Sequence, residues 1–426
     1  MQVLTYKYRL LPTRRQHSAL TDILEAQRQL YNAALGERID AYRKCGITIS
    51  EADQSKSLTQ IRRDDPRFAA VQRRIQRETL RRLDRAYKAF FSRVKRGEVA
   101  GFPRFKGRDF FNGFGFDAFL QIKFDGKRLR FAGIPGGLRV HIDRPIDGTI
   151  KGIWFKRDGR RWYVGFQVEV PCGSTNARHS IGIDVGVAVL AATSRGEMIN
   201  NPRVAKRIEK ELRRRQRAIS RCQKGSSGRK KSRAKLRAML RKATNTRHNH
   251  IHKTTAIFAK QFRCVAVEKL TIRNMVKSAK GTVDKPGKNI SQKSGLNRSI
   301  MDSGFGMFRQ LLSYKCARNG VEFIEVDPRY TSQKCSSCGS IDKNSRKSQA
   351  EFTCTNCGFS LNADINAAKN IHKAAFGHTG GLVRGMHNVV GYGKRASENT
   401  AEKSAGQRGK LPFHPICGTQ KIGANT

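Results

Sequence analysis

The sequence predicts a multidomain α+β and α/β protein, and three features carry that expectation. Two short apolar stretches, one ending near Asp184 and one near Glu268, each hold a single acid among β-branched and small residues, the composition of strands buried on both faces. Long segments with helical spacing of apolar residues alternate with a stretch punctuated by Asp-Gly and Pro-Gly turns, so helical and β regions are segregated along the chain. Two C-x-x-C pairs, Cys335/Cys338 and Cys354/Cys357, mark a small metal-bound module between them and the C-terminus. A length of 426 residues leaves room for two to four domains.

Lys and Arg number 85 against 33 Asp and Glu, a formal net charge of +52. A compact chain carrying that field repels itself unless a polyanion neutralises it. The excess runs from Arg14 to Lys421 rather than along one solvated face, which points to nucleic acid as the partner. A basic membrane-surface protein is disfavoured, since no stretch reaches about 18 apolar residues. The N-terminus MQVLTYKYRLLPTRRQ has no signal-peptide apolar region, so a cytoplasmic, nucleic-acid-associated protein is expected. There its 10 cysteines serve as reduced thiols or metal ligands.

Taken in order, Gln2–Leu11 alternates as a strand and stops at Pro12. Thr13 then caps a helix with the stripe Leu20, Ile23, Leu24, Tyr31, Ala34 and Leu35. A second helix is expected from about Phe68 to Arg96, with Val71, Ile75, Leu83, Tyr87, Phe90, Phe91 and Val94 inward. Its other face carries Arg73, Arg74, Arg77, Arg81, Arg82 and Arg85, a row dense enough to track phosphates. Residues 12–100 thus read as a helical lobe. From Gly101 aromatics interleave with glycines and basic residues (Gly101–Lys106, Phe110–Phe116), and short strands follow at Leu138–Ile142, Lys151–Lys156 and Trp162–Val170. Residues 1–11 and 101–178 therefore read as one β-barrel into which the helical lobe is inserted.

Ser180–Asn200 supplies the first buried strand, a turn at Ser194–Glu197 and a second apolar run. Pro202–Arg241 reads as a cationic helical hairpin broken at Gly225–Gly228. His248 and His252 share a face at i, i+4, but with no third ligand nearby a solvent- or phosphate-facing helix explains them better than a metal. Phe262–Leu270 is the second buried strand. Lys277–Asn297 reads as a mobile loop, Ile300–Leu312 as a helix and Val321–Val326 as a strand. The four C-x-x-C cysteines, each pair followed by a glycine, read as a zinc ribbon holding one structural Zn²⁺, while Cys45 and Cys316 read as isolated small hydrophobes. Leu361–Ile371 opens a helix with Asp364 in its first turn, and from Gly377 on the composition is that of a loosely ordered tail.

A lone buried Asp, a strand-end cap and a dipole-favoured helix acid would each account for one of Asp184, Glu268 and Asp364. Together the three suggest a cluster that stays ionised only with cations between its members. Two Mg²⁺ ions, typically about 3.5–4 Å apart, suit such a cluster in phosphodiester hydrolysis. Composition and spacing thus point to a metal-dependent nuclease.

The segments GIDVG around Asp184, VAVEKL around Glu268, YTSQKCSSCG through CTNCG, and DINAAKNI from Asp364 resemble the TnpB (OrfB) family of transposon-encoded, RNA-guided DNA endonucleases, related to compact type V CRISPR effectors. The resemblance extends to the AYKAFF helix end and to GFPRFK at Gly101–Lys106. It implies an RNase H-like RuvC nuclease domain over 179–327 and 361–376 with Asp184, Glu268 and Asp364 as its magnesium-binding catalytic triad. It further implies a zinc ribbon over 328–360 inserted before the last acid, a wedge-like β-barrel, a helical recognition lobe, and a tail over 377–426. The implied partners are a guide RNA from the transposon end, one protein per guide, and double-stranded DNA beside a short motif that the protein reads. Arg73, Gln76, Arg77, Arg104 and Lys106 are the candidates for that contact, as residue types suited to base edges or phosphates. Where many relatives carry a second acid two positions before the last catalytic one, this chain has Asn362. The alternatives are an RNA-guided DNA-binding regulator without nuclease activity, a compact CRISPR effector, and a guide-free junction nuclease.

Overall fold

The computed structural model describes residues 1–116, 118–281 and 286–377. The expected tail falls, from residue 378 on, outside the described residues.

Strand β1 (Gln2–Leu11) leads into α1 (Arg14–Cys45), capped by Thr13 as expected; Gln16 adds the reciprocal half of the cap. All six apolar positions expected on the α1 stripe are buried. Ser50 and Asp53 cap α2 (Glu51–Asp64), a helix absent from the sequence reading because its apolar stripe is short. The single helix expected from Phe68 is instead one turn, α3 (Pro66–Ala69), a break at residues 70–72, and α4 (Arg73–Lys95). The break has a cause. The Arg62 guanidinium donates to the carbonyls of Phe68, Ala69 and Val71 (2.9, 3.0 and 2.5 Å), so these groups are satisfied without helical bonds. Val71, Ile75 and Leu83 are buried as expected, but Phe91 and Val94 are 59% and 50% exposed, because α4 runs past the core it covers. Phe91 instead joins a surface cluster of rings with Tyr87, Phe90 and Phe102. Cys45, expected to be a buried small hydrophobe, is exposed at the end of α1, whereas Cys316 is buried.

These helices are inserted into an antiparallel sheet. Its strands are β2 (Gly113–Phe116), β3 (Lys123–Phe124), β4 (Arg128–Arg130), β5 (Leu138–His141), β6 (Thr149–Asp158) and β7 (Arg161–Val170), in the order β2-β6-β7-β1-β5-β4-β3. β1 is therefore central, pairing along β7 from Gln2–Val170 to Leu10–Trp162 and with β5 at Arg9–His141 to Leu11–Arg139. Among the described residues no ladder joins β2 to β3, so by hydrogen bonding the expected barrel is an open seven-stranded sheet. Tyr8, Phe114, Phe155, Trp162 and Phe166 from its strands share one core with Leu20, Leu24, Ile75 and Leu83 from α1 and α4.

The second sheet has the order β10-β9-β8-β11-β12. Here β8 (Ser180–Asp184), β11 (Cys264–Glu268) and β12 (Glu322–Val326) are parallel, while β9 (Val189–Thr193) and β10 (Met198–Asn200) return antiparallel. One face packs on α6 (Ser227–Gln261) and α9 (Phe305–Asn319) through Ile251, Phe258, Phe308 and Leu312. The other face carries α10 (Ala363–Phe376), where Ile371 meets Ala266 and Val326. The result is a three-layer α/β arrangement. Helix α5 (Val204–Ser220) pairs with α6 as the expected hairpin, but α6 does not stop near Arg241: it continues to Gln261, its last turns buried in the sheet's core. After the one-turn α7 (Ile272–Met275), the second half of the expected mobile loop is α8 (Ile290–Ser303). Between β12 and α10 the cysteine module contributes a hairpin of β13 (Glu351–Thr353) and β14 (Ser360–Asn362). No helix among the described residues is long and apolar enough to cross a membrane.

Candidate metal-dependent active site and zinc centre

Asp184 and Glu268 are the last residues of two adjacent parallel strands. Their register pairs Ile183 with Val267, so the two acids come next to each other at the same edge of the sheet. Asp364 reaches that edge from the first turn of α10, and its Oδ2 lies against Gly186 in the loop leaving β8. Asn362, at the position where an acid was expected in relatives, caps α10: its Oδ1 accepts from the Asp364 and Ile365 amides at 3.0 and 3.3 Å. An acid there would cap as well, so the departure leaves the helix start intact.

Electrostatically the three carboxylates form one cluster. Burial, then the charges of Glu268 and Asp364, push Asp184 up to about 7. Burial also raises Glu268 and Asp364 above the ordinary carboxylate range. Two residues that the sequence reading did not single out oppose this. Thr331 donates its hydroxyl to Glu268 at 2.5 Å, and Arg346 places a guanidinium nitrogen 3.3 Å from Asp364 Oδ1 while lowering all three acids. Neither carried a local signal: both belong to the segment around the cysteines, far in sequence from Asp184 and Glu268. Hard oxygen donors that repel one another at one sheet edge are a donor set for Mg²⁺.

The four cysteines are, among the described residues, the group whose ligand atoms all lie within 4.8 Å of one another. Sγ–Sγ separations are 3.8 Å for Cys335–Cys357 and 3.6 Å for Cys338–Cys354. A tetrahedral ion with Zn–S bonds of about 2.3 Å sets its sulfurs about 3.8 Å apart, so the quartet fits zinc without rearrangement. The backbone N–H of Ser340, with the neighbouring cysteines, lowers the Cys338 thiol to about 6, which favours the thiolate a metal needs. Asp184, Glu268 and Asp364 do not form such a close-set ligand group in this structure.

The knuckle around Cys335 also holds α10 in place. Asn366 accepts from the Ser336 amide at 2.9 Å and donates to the Lys334 carbonyl at 2.8 Å. Asn370 donates to the carbonyls of Thr331 and Lys334 at 2.9 and 2.6 Å, and Lys373 donates to Ser336. His248 and His252 lie on α6 with ring centroids 6.4 Å apart and belong to no such ligand group among the described residues.

The candidates for DNA contact separate. Arg73, Arg77 and Arg104 are exposed. Lys106 is half-buried, its backbone clamped by the Asn32 side chain at 2.8 and 3.0 Å. Gln76 is a correction: it is fully buried, donates to the Phe68 carbonyl at 2.8 Å and accepts from Arg62 at 2.6 Å, so it builds the α3–α4 break and reaches no ligand. Two members of the expected arginine row are likewise structural. Arg82 stacks 4.7 Å over Phe111 and donates to the Gly113 carbonyl, and Arg85 pairs with Glu78.

Three family models match the chain. Residues 164–279 fit OrfB_IS605, described as "Probable transposase", and residues 305–371 fit the Cas12f1-like TNB domain. Residues 1–46 fit a model described as a helix-turn-helix domain, although here they form β1 and the single helix α1. InsQ of Escherichia coli (strain K12), whose name places it among RNA-guided DNA endonucleases, is 34% identical over 385 residues, 88% of this chain and 92% of the relative. The chain belongs to the TnpB (OrfB) family. A second TnpB-family relative, from Streptomyces pristinaespiralis and named in the same way, is 29% identical over 86% of this chain and 88% of its own. A solved complex of Cas12f1 with single-guide RNA and target DNA aligns with a TM-score of 0.32 and 18% identity over 87% of this chain and 99% of that one.

Proposed function

We propose that this TnpB-family protein is an RNA-guided DNA endonuclease that hydrolyses guide-matched double-stranded DNA at one RuvC-like site made by Asp184, Glu268 and Asp364. The observation that carries the reading is the meeting of these acids at one sheet edge, with Asp184 driven up to about 7 by burial and by its two neighbours, on a chain of net charge +52. A site so short of cations suits two Mg²⁺ ions, and the relatives' names agree with the chemistry.

Bound Mg²⁺ would supply an activated water and charge stabilisation on the leaving oxygen. The protein's own part is positional. Parallel strands hold Asp184 and Glu268 rigidly side by side, Thr331 orients Glu268, and the Asn362 cap with Arg346 fixes Asp364. The cysteine quartet would hold one structural Zn²⁺ and thereby set the start of α10. A guide RNA from the transposon end would read the target by base pairing, one protein per guide, while the protein holds the heteroduplex backbone and reads a short adjoining motif. Arg73, Arg77, Arg104 and Lys106 are the residues offered for that contact; the arrangement of wedge-like sheet (1–11, 101–178), recognition lobe (12–100), nuclease domain (179–327, 361–376) and ribbon (328–360) supports this division of labour.

The deciding experiment compares the wild type with Asp184→Ala, each purified with its guide RNA. The variant is expected to retain RNA and target-DNA binding and to lose cleavage of a matched duplex. Unchanged cleavage would sink the assignment, and a wild type that binds but does not cut would identify an RNA-guided regulator. Activity that survives RNase treatment would identify a guide-free nuclease.

A further inference from the structure

The nuclease sheet has a concavity at the end opposite the acids. The start of β8, the turn after β9 and the third turn of α10 border an open cleft of about 300 Å³ lined by Ser180, Ser194, Arg195, Lys369, His372 and Lys373. No carboxylate lines it. Ser180 is four residues before Asp184 on the same strand, about 13 Å away at roughly 3.3 Å per residue, so the cleft is separate from the proposed cleavage site. Between the two, α10 sits directly on Gly182, where a Cβ would meet the Ala368 carbonyl oxygen.

We propose that this cleft binds a phosphate group, and that in the working complex the group is a backbone phosphate of bound nucleic acid away from the scissile bond. The donors converge. Ser180 Oγ and His372 Nε2 are 2.8 Å apart and orient one another. Ser194 Oγ accepts the Gly182 amide at 3.1 Å, which leaves its hydroxyl hydrogen to donate into the cleft. The Arg195 guanidinium is held over the Phe262 ring at 4.8 Å, a planar fork of the kind that suits phosphate. Lys373 is tethered to the Ser336 carbonyl, while Lys369 has no ion-pair partner among the described residues. Burial, and secondarily the Arg195 charge, hold His372 below its ordinary value, and no carboxylate lines the cleft to answer that charge. The Ser194 hydroxyl, the one proton that the Ser180–His372 pair keeps outside its own bond, a guanidinium and a free ammonium form a recognition set for a tetrahedral oxyanion rather than a solvated basic face. The volume equals that of about ten waters, ample for a phosphodiester with part of its shell.

The assignment rests on the proposed function only for the source of the phosphate, and its test does not use cleavage. Binding of inorganic phosphate to the full-length protein is followed by ³¹P NMR for the wild type, for Arg195→Gln/Lys369→Gln and for Ser194→Ala, with thermal melts to verify folding. A single saturable site is expected, weakened at least tenfold in the double variant and several-fold in Ser194→Ala. The affinity of the guide RNA or of an unrelated oligonucleotide is then measured against salt. A log–log slope shallower by about 1 to 2 in the double variant identifies the backbone as the source. Loss of inorganic phosphate binding with an unchanged slope identifies free phosphate as the ligand and overturns the backbone assignment. Equal phosphate binding by all three proteins overturns the site itself.

Discussion

At the scale of single residues, the acids are held against their own charge, and this has a measurable consequence. Asp184 has a folded-state value of about 7 against about 4 in an unfolded chain. The folded protein therefore binds that proton more tightly than the unfolded one. Stability contributed by the site falls as pH rises from about 4 through 7 and stays lost above it. Three pKa units correspond to about 4 kcal/mol at most. Asp184→Asn should accordingly melt at a higher temperature than the wild type at pH 8 without Mg²⁺, converge with it near pH 4, and be inactive. Equal melting temperatures across that range would refute the strained cluster. Gly182 makes the complementary point by volume: its missing Cβ lets α10 lie on β8, and in Gly182→Ala that atom would also come 2.6 Å from the His372 amide nitrogen. Since the neighbours are backbone, the helix must shift, at a cost of about 1–3 kcal/mol, with a matching loss in denaturant midpoint and a fall in cleavage as Asp364 moves.

At the scale of elements, the cysteine module serves as a foundation for the candidate site. Hairpin β13–β14 ends at Asn362 and α10 begins one residue later, so the cysteine module sets where Asp364 starts, and Asn366 and Asn370 fasten the helix to the backbone of the first knuckle. Cys338→Ser should therefore lose zinc, measured by metal analysis, and lose cleavage although every acid remains. Asn366→Ala should keep its zinc but leave the buried Ser336 amide unpaired, costing about 1–3 kcal/mol and lowering the turnover rate. If Asn366→Ala cut at the wild-type rate, the ribbon would be a neighbour of the site and not its support. Elements with strong period or caps were legible in the sequence: β1, α1 with its Thr13 cap, β8, β11 and the cysteine pairs. The α3–α4 break was not, because Arg62 satisfies carbonyls from a different helix, and no local pattern announces a side chain that arrives from elsewhere. Gln76 was misassigned for the same reason: it faces inward on a helix whose apolar stripe it interrupts.

At the scale of the whole molecule, the sequence singled out the acids proposed for the site but not the groups that touch them. Asp184, Glu268 and Asp364 stand out because acids are rare in this chain and costly in buried strands, whereas Arg346 and Thr331 are ordinary residue types that matter only once folding brings the ribbon over the sheet edge. The charge of +52 is similarly undirected until the fold distributes it. Part of it is structural: Arg237 lies 3.8 Å from Asp109, Arg241 3.5 Å from Asp158, and Arg247 pairs with Asp302, so the base of α6 is tied to the loop before β2, to the end of β6 and to α8. Towards the tip of the hairpin the acids run out, and Lys230 and Lys231 are exposed. A cationic surface with no internal counterion is stabilised by releasing counterions from a polyanion, at about 0.7–0.9 of a log unit in affinity per log unit of salt for each phosphate neutralised. Lys230→Ala/Lys231→Ala should thus leave the melting temperature unchanged, since neither side chain is buried, while making the salt dependence of guide-RNA binding shallower by about 1 to 2. Arg247→Ala should do the reverse, lowering the melting temperature by leaving the buried Asp302 without its ion pair and changing the salt slope little. If both variants altered the slope equally, the hairpin's charge would act as a diffuse field, and the division between structural base and binding tip would fall.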